Sequence, residues 1–206
     1  QCWGQNTNGQ LGDGTHISAI QPVTVSQISS AQTVSAGRNS ACAVLFSGEV
    51  QCWGSNTYGI LGGPEALDSA IPVVVSGLSS AVTVGVGTDF ACALLREGSV
   101  YCWGNNDHGQ LGTTSVLKSN VPLQVPNIAS AVSLSVGDNS ACVVLADEKI
   151  RCWTNPSVAS GASFETSVKK VAVGASFGCA LHYDQTVACW GDNSVGQLGR
   201  SNILRA

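Results

Sequence analysis

The sequence predicts an all-β protein: a β-propeller, or a propeller arc, of four-stranded blades in about four repeats of about 50 residues. Three observations predict it. The dipeptide Cys-Trp recurs at positions 2, 52, 102, 152 and 189, usually followed by Gly; the first four copies stand 50 residues apart and the last 37. A second cysteine (Cys42, Cys92, Cys142 or Cys179) precedes four of these copies by ten residues, mostly in an Ala-Cys-(Ala/Val)-(Val/Leu)-Leu context. Short strand-like runs separated by Gly, Ser and Asn fill each unit, and no stretch sustains helical spacing. The units divide as 2–51, 52–101, 102–151, 152–188 and a partial copy at 189–206, one repeat array across 1–206.

One unit justifies the strands. Thr33–Ala36 reads as a short strand ending at Gly37, Ala41–Leu45 as a second, and Glu49–Trp53 as a third. Pro22–Val25 reads as a fourth, with Pro22 at its start, where a missing N–H is tolerated. Strands that pack on neighbours with both faces read as continuous apolar runs, as Ala41–Phe46 and Ala91–Leu95 do.

The hairpin turn sets the register. Phe46-Ser47-Gly48 suits a three-residue loop closed by a glycine in the left-handed region. Leu45 then faces Glu49, Val44 faces Val50, and Cys42 faces Cys52. The same register opposes Cys92 to Cys102, Cys142 to Cys152, and Cys179 to Cys189. Directly opposed cysteines on antiparallel strands lie within disulfide range, so each pair is expected to be bonded. Buried free cysteines are one competing reading. Zinc is another, but no Cys-x-x-Cys occurs and no His sits at ligand spacing. The third and fourth loops, Ala146-Asp147-Glu148 and Tyr183-Asp184-Gln185, lack the glycine, so their turns are expected to differ or to carry strain.

Cys2 has no hairpin partner within the sequence, which holds five copies of the Cys-Trp strand and four of the strand that faces it. The expectation is an arc rather than a self-contained ring. Further sequence, or a neighbouring copy docked head to tail, would complete it and supply a cysteine equivalent to Cys42. The absence of methionine fits a processed or partial chain.

The motif Trp-Gly-x-Asn-x-x-Gly-Gln-Leu-Gly runs from Trp3 to Gly12 and recurs at Trp53–Gly62 (with Ile60 for Gln), Trp103–Gly112 and Trp190–Gly199. With the Ala-Cys-Ala-Val-Leu hairpin, it closely resembles the regulator of chromosome condensation repeat. The resemblance implies a propeller, usually of about seven four-stranded blades. It also implies two functional classes: secreted propellers that inhibit enzymes by binding through a rim, and nuclear propellers that exchange nucleotide on a small GTPase and bind chromatin. Trp153-Thr154-Asn155-Pro156 departs from the motif, and the fourth unit is short, which puts its outer strand and entry loop in question.

Composition narrows these classes. Charged residues make up 11% of the chain and the net charge is −4. Lys169-Lys170 is the densest basic pair, read as a solvated strand edge, so nucleic-acid binding is not expected. No run of apolar residues is long enough for a membrane helix, and no membrane insertion is expected. Paired cysteines indicate an extracellular or other oxidising compartment. His16, His108 and His182 fall at unrelated repeat positions, and the Gly-rich loops lack the Lys and following helix of a phosphate loop. No catalytic residue, metal or cofactor is expected; a propeller enzyme remains an alternative class. Asp13-Gly14-Thr15 reads as turn chemistry, and the tryptophans as packing between blades.

Two loop sets vary while strands and motifs hold. The first is Asp13–Gln21, Gly63–Ile71 and Thr113–Val121. The second follows the glycine that ends the strand before the cysteine hairpin, as Gly37 does: Arg38-Asn39, Thr88-Asp89-Phe90, Asp138-Asn139 and Ala175-Ser176-Phe177. Loops at one repeat position emerge on one rim, and variable loops on a steady scaffold are where recognition resides. The candidate rim is therefore Arg38, Asn39, Asp89, Phe90, Asp138, Asn139 and Phe177, with Phe90 and Phe177 as apolar anchors or, alternatively, packing residues. The expected partner is a protein or copies of the chain itself, making this a non-enzymatic interaction or structural module.

Overall fold

The computed structural model describes residues 1–64, 67–154 and 167–199, and its regular elements are all β-strands. Strands β1 (Cys2–Gly4) and β2 (Ala19–Val23) form a two-stranded sheet. β3 (Ala31–Ala36), β4 (Ser40–Leu45), β5 (Val50–Gly54) and β6 (Ser69–Val74) form a four-stranded antiparallel sheet in sequence order. β7 (Ala81–Val86), β8 (Phe90–Leu95), β9 (Val100–Asn105) and β10 (Lys118–Gln124) repeat it. β11 (Ala131–Val136), β12 (Ala141–Leu145) and β13 (Ile150–Trp153) give a three-stranded sheet, as do β14 (Val168–Val173), β15 (Phe177–His182) and β16 (Val187–Gly191). The fourth unit's outer strand and entry loop, questioned on sequence, lie at 155–166, outside the described residues.

Each sheet is one propeller blade. The first strands β3, β7, β11 and β14 run beside one another along the inside of the arc. Their backbones touch at a row of glycines: a Cβ on Gly37 would strike the Gly87 carbonyl oxygen, and one on Gly137 that of Gly174. Any side chain there would push the blades apart. Ser35 Oγ accepts the Val86 N–H at 3.0 Å, and Ser135 Oγ accepts that of Val173 at 3.0 Å, tying inner strands across blade boundaries.

The core lies between blades. Along β4 and β5 side chains alternate: Cys42, Val44, Val50 and Cys52 point to the next blade, where they meet Ala91, Ala93 and Trp103. Ala41, Ala43 and Trp53 point back to Cys2, Val25 and Ile28. Small alanines on the rear face leave room for the preceding blade's disulfide and valines. Fully burying a residue such as Val44 or Val50 stabilises by about 1.5–3 kcal/mol. Phe46 is not part of this run; it is 72% exposed in the hairpin turn.

The register is the one the turn predicts. Cys42 opposes Cys52, and the three other pairs do the same. Leu45 N donates to the Glu49 carbonyl at 2.9 Å, so alternation makes Cys42–Cys52 a close, non-hydrogen-bonded pair with Cα atoms 4.0 Å apart. All four pairs are disulfide-bonded, and Cys2 is a free thiol among the described residues. The glycine-free turns keep the same geometry and carry the strain: Glu148 has φ 65° and Gln185 φ 72°, beside 85° for Gly48.

Pro22 does not begin its strand. It lies inside β2, between the paired positions Ala19 and Val23, where the ladder bulges; Pro72 and Pro122 occupy the equivalent bulges in β6 and β10. A bulge on an outermost strand needs no N–H from that residue, so proline fits there without losing a ladder bond.

Candidate functional site

Both variable loop sets reach the same face of the arc. Ser55 N donates to the Asn39 carbonyl at 2.8 Å, Asn105 N to that of Asp89 at 2.8 Å, and Asp192 N to that of Ser176 at 3.0 Å. These bonds join three of the β3–β4-type loops to the loop that follows the Cys-Trp strand. The hairpin turns lie on the opposite face, where Phe46 N, Arg96 N and Ala146 N donate to the carbonyls of Ser30, Ser80 and Ser130.

The repeated motif makes the loop face rigid. The side-chain oxygen of Asn6, Asn56, Asn106 and Asn193 accepts the N–H of the motif leucine five residues on, at 2.8–3.0 Å. Asn106 Nδ2 donates onward to the carbonyls of Thr113 and Val116, and Asn6 Nδ2 to those of Thr15 and Ile17, anchoring the variable segments. Trp53, Trp103 and Trp153 each donate Nε1–H to a carbonyl 43 residues earlier, at Gln10, Ile60 and Gln110. The tryptophan thus locks its blade to the motif loop of the blade before it. Asp13 accepts from the N–H and hydroxyl of Thr15 at 2.9 Å, the turn chemistry expected of Asp-Gly-Thr.

The structure divides the candidate rim residues. Arg38 and Asp138 are exposed at loop tips; Asn39, Asp89, Asn139 and Phe177 are half-buried. Phe90 is a correction. It is 0% exposed and packs between the second and third blades beside Cys92, Ala141 and Val143. As the first residue of β8 it points into the blade interface, and a partner cannot reach its ring.

Between the first and second four-stranded blades the loop face has a shallow, solvent-open depression with room for about one water, about 10 Å³, lined by Asn39, Ser40, Ser55, Thr57, Tyr58, Ile60, Thr88 and Asp89. Asn39 and Asp89 were legible as rim residues; Ser40, Ser55, Thr57 and Tyr58 were not. Ser40 could have been found from its repeat position, where Ser40, Phe90, Ser140 and Phe177 differ sharply in size. Burial raises the carboxyl pKa of Asp89 above the ordinary carboxylate range, while the positive charge of Arg38 pulls it the other way.

The described loop-face segments carry Asp13, Asp68, Asp89, Asp107, Asp138 and Asp192 against Arg38 and Lys118. The hairpin turns are also mainly acidic, with Glu49, Glu97, Asp147, Glu148 and Asp184 against Arg96 and Lys149, whose Nζ lies 3.3 Å from Asp147. The three histidines stand apart, and no cluster of metal-ligating side chains occurs among the described residues. Among the described residues no helix is long and apolar enough to cross a membrane.

Comparison with known proteins agrees with this architecture. The regulator of chromosome condensation (RCC1) repeat matches residues 2–44, 47–94 and 97–144, and a second form of that repeat matches 31–60, 81–110 and 168–197. No curated protein matches in sequence. Among solved structures, human WBSCR16 superposes with a TM-score of 0.81 at 20% identity, over 96% of this chain and 58% of its own. Prp20p from Saccharomyces cerevisiae, described with its binding to Gsp1p and histones, gives 0.82 at 22%, over 97% and 55%. The ectodomain of the Physcomitrella patens receptor kinase CR4 gives 0.55 at 20%, over 78% and 40%. The chain spans less than two thirds of each, and at these identities the likeness is one of fold.

Proposed function

The chain belongs to the regulator of chromosome condensation (RCC1) repeat family, and from that premise we propose that it is a non-enzymatic protein-interaction module of an extracellular or otherwise oxidising compartment, binding through its loop face. The observation that carries this reading is the gathering of both variable loop sets on one face of a hydrogen-bonded scaffold. Four hairpin disulfides support the oxidising compartment. The fold likeness to Prp20p, described with protein partners, and to a receptor ectodomain supports a protein as the ligand.

Nucleotide exchange or chromatin binding draws on the likeness to Prp20p, but hairpin disulfides and an acidic loop face weigh against a reducing compartment and a polyanionic ligand.

Photo-crosslinkers placed at Asp138 on the loop face and at Glu97 on the hairpin face test the proposal in the source organism's secreted fraction. Discrete protein adducts from Asp138 alone are expected. Thiol counting on the denatured, unreduced protein should find at most one reactive thiol among the nine cysteines, that of Cys2. Adducts confined to Glu97, or a full set of free thiols, would overturn the reading; adducts of chain mass would select self-association.

A further inference from the structure

We propose that Asn8-Gly9 is a modification site: a deamidation site that the closed junction between the first unit and the first four-stranded blade protects, and that prevents reclosure once it has reacted. It is the one Asn-Gly in the sequence; the equivalent positions hold Tyr58, His108 and Val195 before their glycines. The chemistry belongs to the dipeptide. The Gly9 nitrogen attacks Asn8 Cγ, an N–C bond forms, and the side-chain nitrogen leaves as ammonia with the proton that Gly9 gives up. Water then opens the cyclic imide at either carbonyl, leaving aspartate or isoaspartate. Glycine offers no Cβ to hinder the attack, and asparagine is among the thermolabile residues.

In the closed junction both reacting groups are occupied. Gly9 is buried, and its N–H donates to the Asn6 carbonyl at 3.0 Å. Asn8 N donates to Gln10 Oε1 at 2.9 Å, which holds the turn. Asn8 Nδ2 donates to Asp68 Oδ2 at 2.8 Å. The other oxygen of Asp68 accepts the Asn56 N–H at 2.7 Å. Asp68 thus ties the motif loop of the first unit to the blade formed by β3–β6. Two further contacts seal the same junction. Gly14 N donates to the Ala70 carbonyl at 2.9 Å, and a Cβ on Gly9 would strike Ala70 Cα in β6. Attack on Cγ requires Gly9 to release the Asn6 carbonyl and Asn8 to leave Asp68, so the reaction proceeds from a locally opened junction.

The product cannot return. Aspartate at position 8 has no amide hydrogen to offer, and it sets a second carboxylate against that of Asp68, like charges at hydrogen-bonding distance. Isoaspartate lengthens the main chain by one carbon immediately before Gly9, where there is no room even for a Cβ. Each opening that reacts therefore leaves the loop of the first unit detached from β6.

Incubation of the full chain in mildly alkaline buffer, followed by peptide mass spectrometry, tests this. Asn8 should deamidate slowly in the folded chain and fast in guanidinium chloride. Asp68→Ala should raise the folded-state rate about tenfold, the worth of a hydrogen bond to a charged group. Hydrogen exchange at the Gly14 amide, which crosses the junction, reads the effect of the product. Asn8→Asp should strip its protection. The exchanged pair, Asn8→Asp with Asp68→Asn, should restore it, because the amide then donates from the other side. If Asp68→Ala does not fold, the exchanged pair decides. Equal rates in the folded and denatured chain would overturn the proposal, as would no reaction in either. So would an unaltered rate in Asp68→Ala, or Gly14 protection that survives Asn8→Asp.

Discussion

At the residue scale, strain and its absence distinguish otherwise equal hairpins. Gly48 and Gly98 sit at positive φ without penalty, while Glu148 and Gln185 hold the same left-handed geometry with a Cβ. A non-glycine residue there costs roughly 1–2 kcal/mol. Glycine returns part of that through the greater freedom it gives the unfolded chain, roughly 0.5–1 kcal/mol. Glu148→Gly and Gln185→Gly should therefore each stabilise by about 0.5 kcal/mol, read as a raised denaturation midpoint with an unchanged m-value. A fall in midpoint would mean that the side chain makes a compensating contact.

At the element scale, each blade is held by a two-strand hairpin closed by its own disulfide. Every bridge spans the same separation of 10 residues, so loop entropy assigns them similar worth, about 2–3 kcal/mol. Their burial differs. Cys42, Cys52, Cys92 and Cys102 are 0% exposed, whereas Cys179 and Cys189 are only half-buried. A reductant must reach sulfur, so under native conditions Cys179–Cys189 should open first. Cys42–Cys52 and Cys92–Cys102 should persist until the blades separate. Timed alkylation followed by peptide mass spectrometry orders the bridges; uniform reduction would show that the blades open together.

At the scale of the whole molecule, blades cohere through packing and through one repeated polar tie, the tryptophan indole to the preceding motif loop. Trp103 is 0% exposed and donates to the Ile60 carbonyl at 2.6 Å. Trp103→Phe keeps most of the aromatic volume but leaves that carbonyl buried without its donor, a loss of about 1–3 kcal/mol. Because the bond crosses a blade boundary, the variant should lose hydrogen-exchange protection on both sides of it, at Leu61 and at Ala91–Leu95. Loss confined to the second blade would show that the tie is not cooperative across the junction.

The sequence by itself determined the unit. A period of 50 residues, a ten-residue cysteine spacing and a glycine turn are local quantities, and they fix hairpin register because side chains alternate with period two. The motif's asparagine, leucine and tryptophan recur, so their structural roles could be inferred from repetition alone. Tertiary structure decided the rest. A period does not reveal its phase: the sequence units begin at Cys-Trp, but the blades run from Ala31 to Val74 and from Ala81 to Gln124, because hydrogen bonding joins the Cys-Trp strand to the hairpin before it. Nor does a loop position reveal its direction. Asn39 and Asp89 look outward, while Phe90, one residue later, turns into the blade interface. The depression at Ser40 lies where two blades meet, and that meeting depends on contacts about 50 residues apart that no local pattern records.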